Sequence, residues 1–526
     1  MLLVLIFVLM ISMALGCQSK DTKPKEQDLV KVKSSIGNSN KKVIMFVVDS
    51  LMSQAIDQGI KDNELSAIKY LIEHGQYSKD VVSSFPTMSV TIDSSLLTGA
   101  YPDAHHVPGL TWYSTKDKKI INYGTGPMEI FRHGVNPVLV DALVHLNGSH
   151  MNEKLPTLFE DLAQSGLKSG SINGLIYRGN VDHTLIIPPW IHGPTVLPKE
   201  ITVKGPDYLA LGSLSNPLKE LKEMPDGLMN RMGLNNRFSV ATVNYLIKKN
   251  KLPDFLYVYL PDLDQEIHKK GPAKLESIKK LDNQIQSILE SFGSPAEALN
   301  KAIFIIVGDS GMTQLLPEEE NPVIDLPAFF KNYRVFRHGE SITEQTDIVL
   351  AVNETMAYVY SLKEHRLQDI ALLLRSDPRI DIIAWKEKNN WINVLQGGTS
   401  KELRFKTDGK LTDLYKQKWT IEQQAEVLDL KINNQQRTLA YGQYPDVLRR
   451  LSGALHSHPG QYLIVTAKPG YELADKSSPT HEGGGGHGSL GKTESLIPLI
   501  ISGTNEKPQY LRIIDLKPFL LKLLTK

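Results

Sequence analysis

Three uninterrupted apolar runs, at residues 43–48, 255–260 and 302–307, constrain the fold of this chain more than any other feature. The first, Val-Ile-Met-Phe-Val-Val, lies between Lys42 and Asp49. A run without polar alternation marks a strand buried on both faces, which needs helices packed on each side of its sheet. Shorter runs at 462–465 and 497–501 read the same way. Between the runs, helix-like patterns occur at 64–74, 158–165, 273–292 and 367–375. This alternation argues for an α/β sandwich around a largely parallel central sheet. In such sheets ligands collect beyond the carboxyl ends of the strands. Asp49, Asp264 and Asp309 fall one to four residues past the three long runs, which places three carboxylates at one sheet edge.

A chain of 526 residues is long enough for two domains or one decorated core. Its 59 Lys and Arg nearly cancel 58 Asp and Glu, so bulk charge gives no basis for binding nucleic acid. The first 16 residues carry no charge and fit the apolar core of a secretory signal, too short for a spanning helix. Ala14-Leu15-Gly16-Cys17 then resembles a bacterial lipoprotein processing site, with the chain's only cysteine at the lipidated position. Two departures are the lack of Lys or Arg before the apolar run and Ala14 where Leu is usual. The expectation is a signal peptide over 1–17, membrane attachment through lipidated Cys17 and a domain facing outside the cytoplasm. Residues 18–41 read as a solvated tether and 42–526 as the folded domain, with an inserted subdomain over 345–445 and a surface excursion over 180–240. Without further cysteine, no disulfide holds the mature chain.

The polar residues at the strand ends suggest chemistry only in combination. Asp264 and His268 lie four apart and would share one helical face, although the bland alternative is a solvated pair beside Lys269 and Lys270. Asp49 and Asp309, taken alone, are equally turn formers or helix caps. His487 stands in a glycine run that packs little around it, as a ligand or as a surface residue. Ser89 opens a helical segment whose first amides would face an anion; its alternative role is capping. Carboxylates, imidazoles and one hydroxyl are the parts of metal-assisted phosphoryl transfer.

Order and spacing carry more than any single residue. Phe85-Pro-Thr-Met-Ser89 through Leu97-Thr-Gly-Ala-Tyr-Pro-Asp103 and His105, then Asp264-x-x-x-His268-x-x-Gly271-Pro272, Asp309-Ser-Gly-Met312 and His487-Gly488 follow one another in the chain. This set resembles the alkaline phosphatase superfamily, within it the nucleotide pyrophosphatase/phosphodiesterase-like branch. The resemblance implies a three-layer sandwich with a largely parallel central sheet and a smaller inserted subdomain. It also implies a metal-dependent hydrolase of phosphate esters acting through a Ser89 phosphoenzyme. Two divalent ions would be zinc, or manganese or magnesium, especially at the Asp49/Asp309 site. Asp264, His268 and His487 would hold one ion; Asp49, Ser89 and Asp309 would hold the other.

The chain departs from that pattern at Ser310, where the family places a histidine. It departs again at Leu110, where an ungapped extension puts the asparagine of diester-cleaving relatives. A hydroxyl is a weaker zinc ligand than imidazole. The alternatives are therefore a binding protein that kept the fold, a phosphonate hydrolase, or a headgroup transferase. A sulfatase is disfavoured because Ser89-Val90-Thr91 lacks the proline of that motif. The expected substrate is a small-molecule or lipid-headgroup phosphate ester. Trp112 and Tyr113 are either stacking surfaces for a base or sugar, or core aromatics.

Overall fold

The computed structural model describes residues 41–525, apart from 125–134, 194–196, 219–220, 222–223, 273–275, 338 and 364–365. The expected signal peptide, Cys17 and tether residues 18–40 lie outside the described residues, as do the first three residues of the helix expected at 273–292.

Seven strands form the central sheet: β1 (Lys42–Val48), β2 (Gly75–Val82), β3 (Ser169–Ile172), β4 (Tyr208–Ala210), β5 (Phe255–Leu260), β6 (Ala302–Gly308) and β7 (Leu496–Ser502). Their order is β2-β7-β6-β1-β5-β3-β4. The strands from β6 to β4 are parallel, while β7 runs antiparallel to both β6 and β2. The three long apolar runs are the three adjacent central strands β6, β1 and β5.

Strand alternation explains why those runs lack polar residues. Ile44, Phe46 and Val48 enter one buried core with α1 (Ser66–Glu73), helix Asn236–Lys248 and helix Glu276–Glu290. Val43, Met45 and Val47 enter the opposite core with α2 (Ser89–Thr98), helix Leu158–Gln164 and helix Leu516–Leu524. Each face of the sheet is thus covered, giving the helix–sheet–helix sandwich. α2 is buried along its whole length after Ser89, which explains its apolar and small-polar composition.

A second sheet of nine strands is built from residues 348–467. The run at 462–465 belongs here, as strand Tyr462–Ala467 between Met356–Ser361 and Ile380–Lys386 and antiparallel to both. Its apolar residues serve two cores, one on each side of this sheet, so the run reads like those of the central sheet. The described part of 180–240, expected as a surface excursion, contains regular structure. Strands Val181–Ile186 and Glu200–Gly205 form a hairpin, with Leu185 and Val203 in a small core of their own. The turn Asn353-Glu354-Thr355 of the second sheet contacts segments that flank the first. Asn353 accepts from the amide of Thr111, and the amide of Thr355 donates to the His487 carbonyl.

Candidate active site

Strand register sets the site. Val48 pairs with both Leu260 and Gly308, so β1, β5 and β6 leave the sheet at one level. Asp49 and Asp309 are the next residues, and α3 (Asp262–Lys270) starts just beyond β5. The glycine-rich loop before β7 returns His487 to the same edge, and α2 points its first residue, Ser89, at it.

Two clusters result. In the first, Asp264 Oδ1 is 3.2 Å from His268 Nε2 and 3.7 Å from His487 Nε2. These three donor atoms lie close enough together to bind one ion. The Nδ1 atoms face backbone carbonyls, of Gly485 for His268 and of Thr87 for His487. When neutral, each ring can thereby donate its Nδ1–H outward and present its Nε2 lone pair inward, the tautomer a metal requires, and when protonated both rings face Asp264 as cations. Burial alone would raise the Asp264 carboxyl, but His268 and His487 outweigh it and hold the group down at about 2.

In the second cluster, Ser89 Oγ donates to Asp49 Oδ1 over 3.4 Å. The Tyr259 hydroxyl donates to the other oxygen of Asp49. Asp309 Oδ1 accepts from the amides of Ser50, at 2.8 Å, and Ser310, at 2.6 Å. Its Oδ2 is buried and has no hydrogen-bond partner. Burial, then the charges of Asp264 and Asp309, push the Asp49 carboxyl well above the carboxylate range. Burial also raises the Asp309 carboxyl. Buried acids that repel one another, one with an orphaned oxygen, make a donor set suited to a cation. The first cluster fits a divalent ion, and the buried acids of the second are donors of the type a cation takes.

Ser50 links the clusters. Its Oγ donates to Asp264 Oδ1 at 2.9 Å and lies 3.3 Å from Ser310 Oγ. Ser310, at the position where the resemblance expects a histidine, is fully buried with its hydroxyl beside that of Ser50. The second cluster is consequently made of oxygen donors alone, which suits a harder ion than zinc.

The structure brings Asp49, Ser89, Asp264, His268, Asp309, Ser310 and His487 to one edge; Cys17 lies outside the described residues. Sequence reasoning missed Glu354, whose Oε1 is 3.7 Å from His268 Nε2. It also missed Tyr259 and Ser50. Tyr259 shows only as a hydroxyl inside an apolar run, and Glu354 gives no local signal. Leu110 is partly buried against the core behind α2. Trp112 and Tyr113 are both buried; Tyr113 packs edge-on against Tyr360. Trp112 donates to the Tyr123 hydroxyl and lines a cavity of about 670 Å³ with His106, His150 and His458.

Solved structures share this fold. Human ectonucleotide pyrophosphatase/phosphodiesterase 5 aligns at a TM-score of 0.54 with 14% identity, covering 92% of this chain and 95% of that one. The murine protein aligns at 0.53, again with 14% identity and coverage of 92% and 95%. An inactive murine variant in complex with AMP aligns at 0.52 with the same identity and coverage. Among curated proteins none matches this chain. The family model of type I phosphodiesterase / nucleotide pyrophosphatase, whose members are metal-dependent phosphoric ester hydrolases, matches residues 43–490. With that match spanning most of its length, the chain belongs to the type I phosphodiesterase / nucleotide pyrophosphatase family of the alkaline phosphatase superfamily.

Proposed function

We propose that this protein hydrolyses phosphate esters outside the cytoplasmic membrane through a phosphoseryl intermediate on Ser89. The observation that carries this reading is the meeting of Ser89, at the start of a buried helix, with two acid-rich clusters at the carboxyl ends of parallel strands. Asp264, His268 and His487 would hold one divalent ion, and Asp49, Ser89 and Asp309 the other. Such ions supply neutralisation of charge on the attacking and leaving oxygens.

The chain's own groups account for the rest. Asp49 Oδ1 is the acceptor for the Ser89 hydroxyl proton. The positive end of α2 receives the equatorial phosphoryl oxygens. Ser89 Oγ, its proton passed to Asp49, forms a bond to phosphorus as the bond from phosphorus to the ester oxygen breaks, and that oxygen takes a proton from water. Water then bonds to phosphorus, expels Ser89 Oγ and releases the phosphate product. Membrane attachment follows from the Ala14-to-Cys17 motif; among the described residues no helix is long and apolar enough to cross a membrane. The murine relative's complex with AMP makes nucleoside phosphates the first substrates to try.

The test is hydrolysis of p-nitrophenyl mono- and diesters with zinc, manganese or magnesium added after chelation. Ser89→Ala is expected to lower turnover at least about 100-fold, and unchanged turnover would refute the nucleophile. A binding protein without turnover is the second reading, favoured by the Ser310 hydroxyl at the histidine position. Substrate-analogue binding without product from any ester would select it.

A further inference from the structure

Glu354 sits in the turn joining strands Ile348–Asn353 and Met356–Ser361 of the second sheet, with a left-handed φ of +58°. That backbone is strained for a side chain with a Cβ, so something must hold it. One carboxylate oxygen, Oε2, accepts from the amide of His487 at 3.1 Å. The other, Oε1, points between the two histidines, 3.7 Å from His268 Nε2 and 3.9 Å from His487 Nε2.

Those lengths have a meaning. Four donors each about 2.1 Å from one zinc ion stand about 3.4 Å from one another at the corners of a tetrahedron. With Asp264 Oδ1 at 3.2 Å and 3.7 Å from the same two nitrogens, four of the six edges run from 3.2 to 3.9 Å. We propose that Glu354 is a fourth protein ligand of the ion held by Asp264, His268 and His487. This rests on the metal-dependent reading of the site. The first site then has two nitrogen and two oxygen donors from the protein, and reaches a leaving oxygen only by expanding to five-coordinate. Protein-filled tetrahedral sites retain their ion, whereas open ones offer a position to substrate. The ion nearer Ser89, held by oxygens alone, is left as the exchangeable one.

His481 is the competing neighbour. It also lies within reach of His268 and Glu354, but its Nδ1 faces the carboxylate of buried Glu472. The test is zinc titration of the chelator-stripped full-length chain against a chromophoric competitor, reading the affinity of the first equivalent. Glu354→Gln keeps the acceptor for the His487 amide and removes the charge. It is expected to weaken zinc at least about tenfold, as is His487→Ala, while His481→Ala stays within about threefold. Should Glu354→Gln fail to fold, Glu354→Asp withdraws the carboxylate by one methylene and is expected to weaken zinc in the same sense. Wild-type affinity in the Glu354 variant beside loss in His487→Ala would overturn the fourth ligand alone. Loss in His481→Ala with none in His487→Ala would overturn it by moving the ion to the other cluster. No zinc bound by the wild-type chain would overturn it together with the metal-dependent reading.

Discussion

Ser50 and Ser310 stand hydroxyl to hydroxyl where the resemblance expects one imidazole, and Ser50 does so with a left-handed φ of +58°. Glycine would adopt that backbone without strain and vacate the space beside Ser310. The double change Ser50→Gly with Ser310→His is therefore expected to raise affinity for a second zinc equivalent at least about tenfold, measured by the same competitive titration. A different residue contributes a pH dependence of stability. Asp93, one turn after Ser89, is fully buried with neither carboxylate oxygen hydrogen-bonded in good geometry. Burial pushes its carboxyl up to about 8. Folded Asp93 thus keeps a proton that the unfolded chain loses near pH 4. The stability this gives is complete below about pH 4 and is lost as pH rises through about 8. Asp93→Asn has no proton to lose. With chelator present it should exceed the wild type by on the order of a few kcal/mol at about pH 9 and by little at about pH 4, in urea unfolding.

At the scale of elements, α2 joins the nucleophile to the core, and its far end shows how tightly it is seated. Gly99 closes the helix with a φ of +68°, and a Cβ there would meet the Cβ of Lys517 at 3.2 Å. Gly99→Ala should cost about 1–2 kcal/mol, measured by chemical denaturation. Elements of this kind were legible because their patterns are local. The helix expected at 367–375 is found as Leu367–Arg375, and that expected at 64–74 as Ser66–Glu73. Carboxylates at strand ends were legible because an apolar run and the polar residue after it are adjacent in the chain. Glu354 was not, because its meeting with His487 crosses 133 residues and depends on how the second sheet docks. Helix Asn236–Lys248 was also missed: Asn236, Ser239 and Thr242 are buried on it, which breaks the apolar periodicity.

For the whole molecule, the site is where two sheets, the α2 helix and the glycine-rich loop meet, so bound ions would cross-link distant parts of the chain. Chelation should lower the thermal midpoint, and zinc at about 100 times its dissociation constant should add back about 2.7 kcal/mol, read by scanning calorimetry. That the run at 462–465 belongs to the second sheet was not legible, since it has the same character as those of the central sheet. What separates them is only which strands they pair with. The course of β1 has a directional consequence. Residue 42 begins this central strand and Asp49 follows its last residue, about 20 Å further along. The Lys41 side chain is tied there to the carbonyls of Leu299 and Gly503, on the floor of the molecule. Whatever precedes Lys41 therefore joins the domain at the end of β1 opposite the site, so that a pull on the chain from that side does not pass through the site.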